Sequence, residues 1–215
     1  MTIADSHSDL GDPLPTGGTA IQARLAEAAI DLFYERGAQA TTVRDITHAC
    51  GLTPGALYNH FASKDQLLYL VVRDIHRQVG EQLGVLLAAA GDDPVAQLTA
   101  AVKFLVSHTA GFKKRSRVAN REFTFLTGSR REEVRELRRQ LRDRFAAVIL
   151  AGARQGVFDL VGGNDIGPAT LHAATITTMC VRISEWTLEN YPLTIDDLEN
   201  HHAELALRMV GVRRG

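Results

Sequence analysis

Residues 43–68 read VRDITHACGLTPGALYNHFASKDQLL, and their caps and breakers predict two short helices joined by a tight turn, followed by the start of a third. Thr42 with Asp45 forms a capping box, because each side chain can satisfy the other's free backbone amide, so a helix opens at Val43. Val43, Ile46 and either Ala49 or Cys50 then share an inner face, which leaves Arg44, Thr47 and His48 outward. Gly51 stands where a helix end needs positive φ, and Leu52 fills the corner. The Thr53 hydroxyl as cap and Pro54 at the first helical position open the second helix. Leu57 and Phe61, four apart, anchor it and turn Thr53, Pro54, Gly55, Tyr58, Asn59 and His60 outward. Ser63 with Gln66 caps a third helix and leaves Lys64 in its first turn, where the helix dipole disfavours a cation. An external phosphate would satisfy both the lysine and the free amides, so the stretch reads as a DNA-contacting head.

The run from Ala28 to Leu68 resembles the N-terminal domain of the TetR family of bacterial transcriptional regulators. The resemblance is carried by Leu32, Phe33, Gly37, Thr41, Thr42, Ile46, Gly51, Thr53, Gly55, Leu57, Tyr58, His60, Phe61, Ser63, Lys64 and Leu67. Its most specific part is L-Y-x-H-F-x-S-K-x-x-L directly after G-x-x-x-G. Thr47 and Cys50 depart from the alanines more usual there, at packing positions near the turn. The resemblance implies DNA contacts at Thr42, Arg44, Thr53, Gly55, Tyr58, His60 and Lys64, with Tyr58, His60 and Lys64 on phosphates. It also implies a homodimer through the last two helices, which sets paired reading helices in successive major grooves of a near-palindromic double-stranded DNA operator.

The whole chain of 215 residues carries a formal charge of −1, so the gross basicity of many nucleic-acid binders is absent. The head is no different: residues 20–75 hold five Lys or Arg against six Asp or Glu. Binding then rests on placed charges and helix ends, and a shallow salt dependence is expected. Cys50 and Cys180 lie in apolar surroundings and are expected to be reduced thiols of a cytoplasmic protein. Neither a signal peptide nor an eighteen-residue apolar run is visible, so no membrane association is expected.

In order along the chain, residues 1–18 mix Ser, Asp, Gly and Pro without periodicity and are expected to be a disordered tail. The head is assigned to 19–66 and a ligand-binding and dimerisation domain to 67–215, giving an all-α fold. A helix with Ile21, Leu25, Ala28, Ala29, Leu32 and Phe33 at helical spacing ends at Gly37. The third head helix continues to about Gln82, Pro94 opens another to about Ala110, and one from about Arg130 ends at Gly156. The last two are placed at about Ile166 to Asn190 and Ile195 to Val212. Between Gly111 and Phe145 stand twelve Lys or Arg against five Asp or Glu. They are either a solvated face with i, i+4 pairs that set Glu132 to Glu136 against Arg135 to Arg139, or, at Lys113, Lys114 and Arg115 to Arg121, the seat of an anionic ligand group.

The helix after Ile166 is apolar nearly all round and is expected to be covered on every side, by a cavity and by a partner subunit. Arg182 reads as a buried arginine pairing with Glu185 or Glu122, or meeting a ligand. Candidate effector-binding residues are Arg121, Phe123, Phe125, His172, Thr175, Met179, Arg182 and Trp186. Adjacent His201 and His202 on a helix point apart and do not make a metal site. No nucleophile elbow, phosphate loop or metal-ligand spacing points to an enzyme, and no cofactor is expected. R-E-F-x-x-L at 121–126, G-x-F at 156–158 and RISEWTLENYPLTIDDL at 182–198 resemble TetR-type regulators of lipid and sterol catabolism, which respond to acyl-CoA thioesters. The reading is a repressor released by a small hydrophobic effector. A regulator of a drug-efflux or other catabolic gene with a non-CoA ligand and an architectural DNA binder without ligand are the alternatives.

Overall fold

A computed structural model of the chain describes residues 18–186 and 193–212. The expected N-terminal tail, and the stretch to Asn190 of the expected long helix, fall largely outside those residues. The described elements are all helical: α1 (Ala20–Arg36), α2 (Val43–Ala49), α3 (Pro54–Tyr58), α4 (Lys64–Ala89), α5 (Pro94–Gly111), α6 (Lys113–Glu122), α7 (Gly128–Arg154), α8 (Ile166–Val181) and α9 (Ile195–Met209). Short 3₁₀ turns follow α6 at Phe123–Phe125 and α8 at Arg182–Glu185. Two compact units are formed, one from residues up to 78 with 113–137, the other from 79–112 with 138 onward.

The first unit contains the head. Its core takes Leu25, Ile30 and Phe33 from α1, Ile46 from α2, Leu57 from α3, and Leu67, Val71 and Val72 from α4. It also takes Val118 and Ala119 from α6 and Val134 from α7. The α6 contribution has a simple cause. In a helix whose sequence is KKRSRVANRE, Ser116, Val118, Ala119 and Glu122 recur at helical spacing and are the buried ones, and that face packs on α1.

In the second unit α5 packs on both α8 and α9. Ala169, Ala173, Ile176 and Cys180 form the inner stripe of α8, against a core that includes Leu98, Val102, Leu105, Phe145 and Ile149. The opposite face of α8 lies open, with Leu171 70% exposed. After α7, Gly156 takes φ 71° and the chain doubles back so that Phe158 lies over Gly152. A side chain is excluded there, since a Cβ on Gly152 would come within 2.2 Å of the Phe158 ring.

Three expectations are corrected. The helix from Lys64 runs to Ala89, not Gln82. The helix expected to reach Asn190 leaves α geometry at Val181, and Trp186 is already extended. Residues 113–122, a charge run in the sequence, are a helix of their own.

Candidate nucleic-acid interface

The turn between α2 and α3 is fixed by local chemistry. The Asp45 amide donates to Thr42 Oγ1 at 3.2 Å and the Thr42 amide donates to the Asp45 carboxylate at 2.8 Å, completing the capping box. Those bonds, with Arg36 at 2.9 Å, hold the Asp45 carboxyl below its ordinary range. Gly51 takes φ 65°, and the Leu52 amide returns to the Thr47 carbonyl at 2.8 Å. Arg24 of α1 donates to the Cys50 carbonyl at 2.8 Å, which ties the end of α2 to the first helix.

Two details differ from the sequence reading. Thr47 is buried, not outward, because its hydroxyl donates to the Val43 carbonyl within its own helix at 3.0 Å. Thr53 stands at the N-cap of α3 but makes no side-chain capping bond; Pro54 and the following turn suffice to start so short a helix.

With Leu57 fully buried and Phe61 nearly so, the outer face is set. Thr42, Arg44, Thr53, Pro54, Gly55, Tyr58 and Asn59 are exposed, and His60 is half-buried. Tyr58 is 57% exposed, so its ring is not spent on packing. Lys64 is half-buried for a definite reason: its ammonium donates to the carbonyls of Ala38 at 2.6 Å and Thr41 at 2.7 Å. It straps the α1–α2 loop to the start of α4 without neutralising its charge on a carboxylate.

The same loop is held from another side by one of the two carboxylates expected as partners for Arg182. Glu122, the last residue of α6, is 1% exposed. Its carboxylate accepts from the Ala38 amide at 3.1 Å and from Arg121 Nε at 3.1 Å. An acid closing a strongly basic segment, in the quoted R-E-F, is the signal that marks it.

Much of the basic run is engaged by α1. Lys114 bonds Asp31 at 2.6 Å, Arg115 pairs with Glu27, and the Arg117 guanidinium lies 5.4 Å from the centre of the Tyr34 ring. The bond to Asp31 raises the Lys114 ammonium above its ordinary value. These α1 acids are part of what made the head net negative. Over residues 18–78 and 113–137 together, fourteen Lys or Arg stand against ten Asp or Glu, so the described residues of the unit that carries the head have a formal charge of +4. Further along, Arg135 pairs with Glu132 at 2.9 Å, three residues apart where pairs four apart were expected, and Arg139 pairs with Asp143, four apart, at 3.2 Å.

The effector-side candidates divide between the two units. Arg121, Phe123 and Phe125 belong to the first, where Arg121 is exposed, Phe125 is 45% exposed and Phe123 packs partly on the core. His172, Thr175, Met179, Arg182 and Trp186 belong to the second. His172 Nδ1 lies 2.8 Å from the Pro168 carbonyl, Thr175 is exposed and donates to the Leu171 carbonyl at 2.9 Å, and Met179 packs partly on the core. Arg182 is exposed, which removes the need for a buried counter-ion that the sequence reading gave it. Trp186 is 41% exposed, with its ring 5.6 Å from that of His202. His202 is buried with Nδ1 2.7 Å from the Leu198 carbonyl, while His201 beside it is exposed. Among the described residues no His, Cys, Asp and Glu group is arranged to hold a metal ion, and no helix is long and apolar enough to cross a membrane.

Known proteins match both units of this architecture. Residues 25–70 match the family described as bacterial regulatory proteins, tetR family, and residues 91–210 match the tetracyclin repressor-like C-terminal domain. The HTH-type transcriptional repressor KstR2 of Rhodococcus jostii (strain RHA1) is 33% identical over 156 residues, covering 66% of this chain and 70% of that protein. The crystal structure of a bacterial regulatory protein in the tetR family from Rhodococcus RHA1 superposes with a TM-score of 0.80 at 29% identity, over 92% of this chain and all of that one. AibR, solved in complex with isovaleryl coenzyme A and operator DNA, shares the fold with a TM-score of 0.77 at 21% identity, over 89% of this chain and 99% of that one. The capped turn, the outward face it presents and the two matched segments together establish that the chain belongs to the TetR family of bacterial transcriptional regulators.

Proposed function

We propose that the protein is a ligand-responsive repressor that binds a near-palindromic operator as a homodimer and is released by a small hydrophobic effector, a CoA thioester being the first class to test. The observation that carries the DNA half is the split face of α3. Leu57 is wholly buried while Tyr58 is 57% exposed, so one side is spent on the core and Thr53, Pro54, Gly55, Tyr58 and Asn59 are spent on nothing internal. Thr42 and Arg44 at the start of α2 extend that face, and His60 and Lys64 flank it as phosphate contacts. The exposed face of α8, with Leu171 at its centre, supports a dimer through the last two helices.

The effector half rests on KstR2 and on the isovaleryl coenzyme A in AibR. Within the second unit His172 and Met179, part-buried beside the core, are the better pocket candidates. Thr175 and Arg182 lie on the exposed side of α8 with Leu171 and suit a partner subunit. The effector acts by population shift: it binds better to the state whose heads do not fit the operator.

The test is selection of bound fragments from a genomic DNA library by the purified protein, followed by titration of the recovered fragment with short-chain, long-chain and sterol-derived acyl-CoA thioesters. A near-palindromic site released by one thioester class supports both halves. A site never released keeps the repressor and removes the CoA ligand.

A further inference from the structure

A cleft of about 300 Å³ opens in the first unit, lined by Ala38 and Gln39 of the α1–α2 loop, by Lys64, Asp65 and Leu68 of α4, and by residues 125–127 with Arg130 at the start of α7. Two cations line it. The Lys64 ammonium is bonded to carbonyl oxygens and, among the described residues, pairs with no carboxylate. Arg130 has no carboxylate within ion-pair distance among the described residues; its guanidinium lies 5.4 Å from the centre of the Tyr69 ring. Both stand in the first turn of a long helix, where the helix dipole disfavours a cation. Against them the cleft has one acid, the exposed Asp65. Its walls are mixed, with Leu68, Phe125 and Leu126 beside Gln39 and Thr127, but its two cations against one acid make it net positive, and the charged side suits a phosphodiester oxygen.

We propose that Arg130 extends the DNA-contacting surface beyond the helix-turn-helix, the cleft it shares with Lys64 seating one backbone phosphate of the operator. The proposal rests on the reading of Lys64 as facing DNA. It also accounts for how a head of net charge −1 holds a polyanion: the added cation comes from a segment 60 or more positions further along the chain. The contact is to the backbone, so it adds affinity and salt dependence and reads no bases.

The test uses the full-length protein and a duplex it selects from a random-sequence library, with affinity measured between 50 and 200 mM KCl. Arg130→Gln is expected to make the log-affinity against log-salt slope shallower by about 0.9, the value of one phosphate contact, which narrows the affinity loss over that range by about threefold. Arg130→Lys is expected to keep most of the slope, and Asp65→Asn to tighten binding. Arg135→Gln is the control, because that cation lies on the same helix but is paired with Glu132 at 2.9 Å. Equal changes in the Arg130 and Arg135 variants, or none in Arg130→Gln while Lys64→Gln loses slope, overturn the proposal and leave the reading of Lys64 intact. If Lys64→Gln keeps the wild-type slope, that reading fails first. If inorganic phosphate stabilises the wild type but not Arg130→Gln, while the DNA slope is the same in both, the cleft takes a free anion and the DNA contact is overturned.

Discussion

The Glu122 carboxylate accepts the Ala38 amide proton at 3.1 Å, joining residues 84 positions apart. Lys64 holds the carbonyl of the same residue at 2.6 Å. Ala38 thus has both its backbone polar groups bound by charged side chains, and the loop that presents Thr42 and Arg44 is clamped from two helices. Glu122→Ala removes the acceptor from a buried N–H and is expected to destabilise the protein by about 1–3 kcal/mol, with Glu122→Gln costing less because it keeps an acceptor. Urea denaturation of both variants is the check; an alanine variant as stable as wild type would show the clamp to be idle.

Gly152 leaves no room for a side chain. A methyl group there meets the Phe158 ring at 2.2 Å, and Phe158 is 1% exposed, so it has nowhere to move. Gly152→Ala is expected to cost about 1–3 kcal/mol through overpacking. Combining it with Phe158→Leu should cost less than the sum of the two single changes. Strict additivity in a double-mutant cycle would show that the clash is not the cause.

Burial lowers the His202 pKa below its ordinary 6.5, with the Leu198 carbonyl opposing and His201 adding to the fall. The unfolded chain therefore takes up a proton at a higher pH than the folded protein does. Stability from this residue is complete above pH 6.5 and declines as pH falls through the interval down to the folded pKa. Asp45 and Asp197 act in a separate window: their cap bonds depress both carboxyls below 3.8, so that contribution is present above 3.8 and is lost on further acidification. Melting temperature followed from pH 8 to pH 4 should fall below pH 6.5 in the wild type and less so in His202→Gln. Parallel curves would exclude His202 as the source.

Burial pushes the Cys180 thiol up to about 12 and raises Cys50 as well. At pH 8 the native thiolate of Cys180 is scarce, and its alkylation should run on the order of a thousandfold slower than that of a free thiol. Mass spectrometry after iodoacetamide, with and without denaturant, measures this. Rapid labelling of Cys180 in the folded protein would contradict the packing of α8.

The head was legible in the sequence because its determinants are local. Thr42 with Asp45, Gly51, Pro54 and Ser63 with Gln66 each act within a few residues, and Leu57 and Phe61 fix the face. Helix α6 was not legible, because the acids that hold it, Glu27 and Asp31, lie more than eighty positions away; a basic segment with few apolar residues carries no sign of them. Arg182 misled for a different reason. Its neighbours in sequence are apolar, but its helical neighbours Leu171, Thr175 and Thr178 are exposed, and the periodicity of α8 puts it with them. The cleft beside Lys64 was invisible for the same reason as α6, since Arg130 reaches it only through the fold.

The interleaved origin of the first unit also sets a timetable. A ribosome that has released residues 18–78 has delivered every residue of the helix-turn-helix, yet neither Glu122 for Ala38 nor Val118, Ala119 and Val134 for the core. Those arrive only after α5 has been made, and they close loops of more than eighty residues, a slow kind of contact to form. The nascent head therefore waits half-finished on the emerging chain, and competence to grip an operator comes as a late event of synthesis.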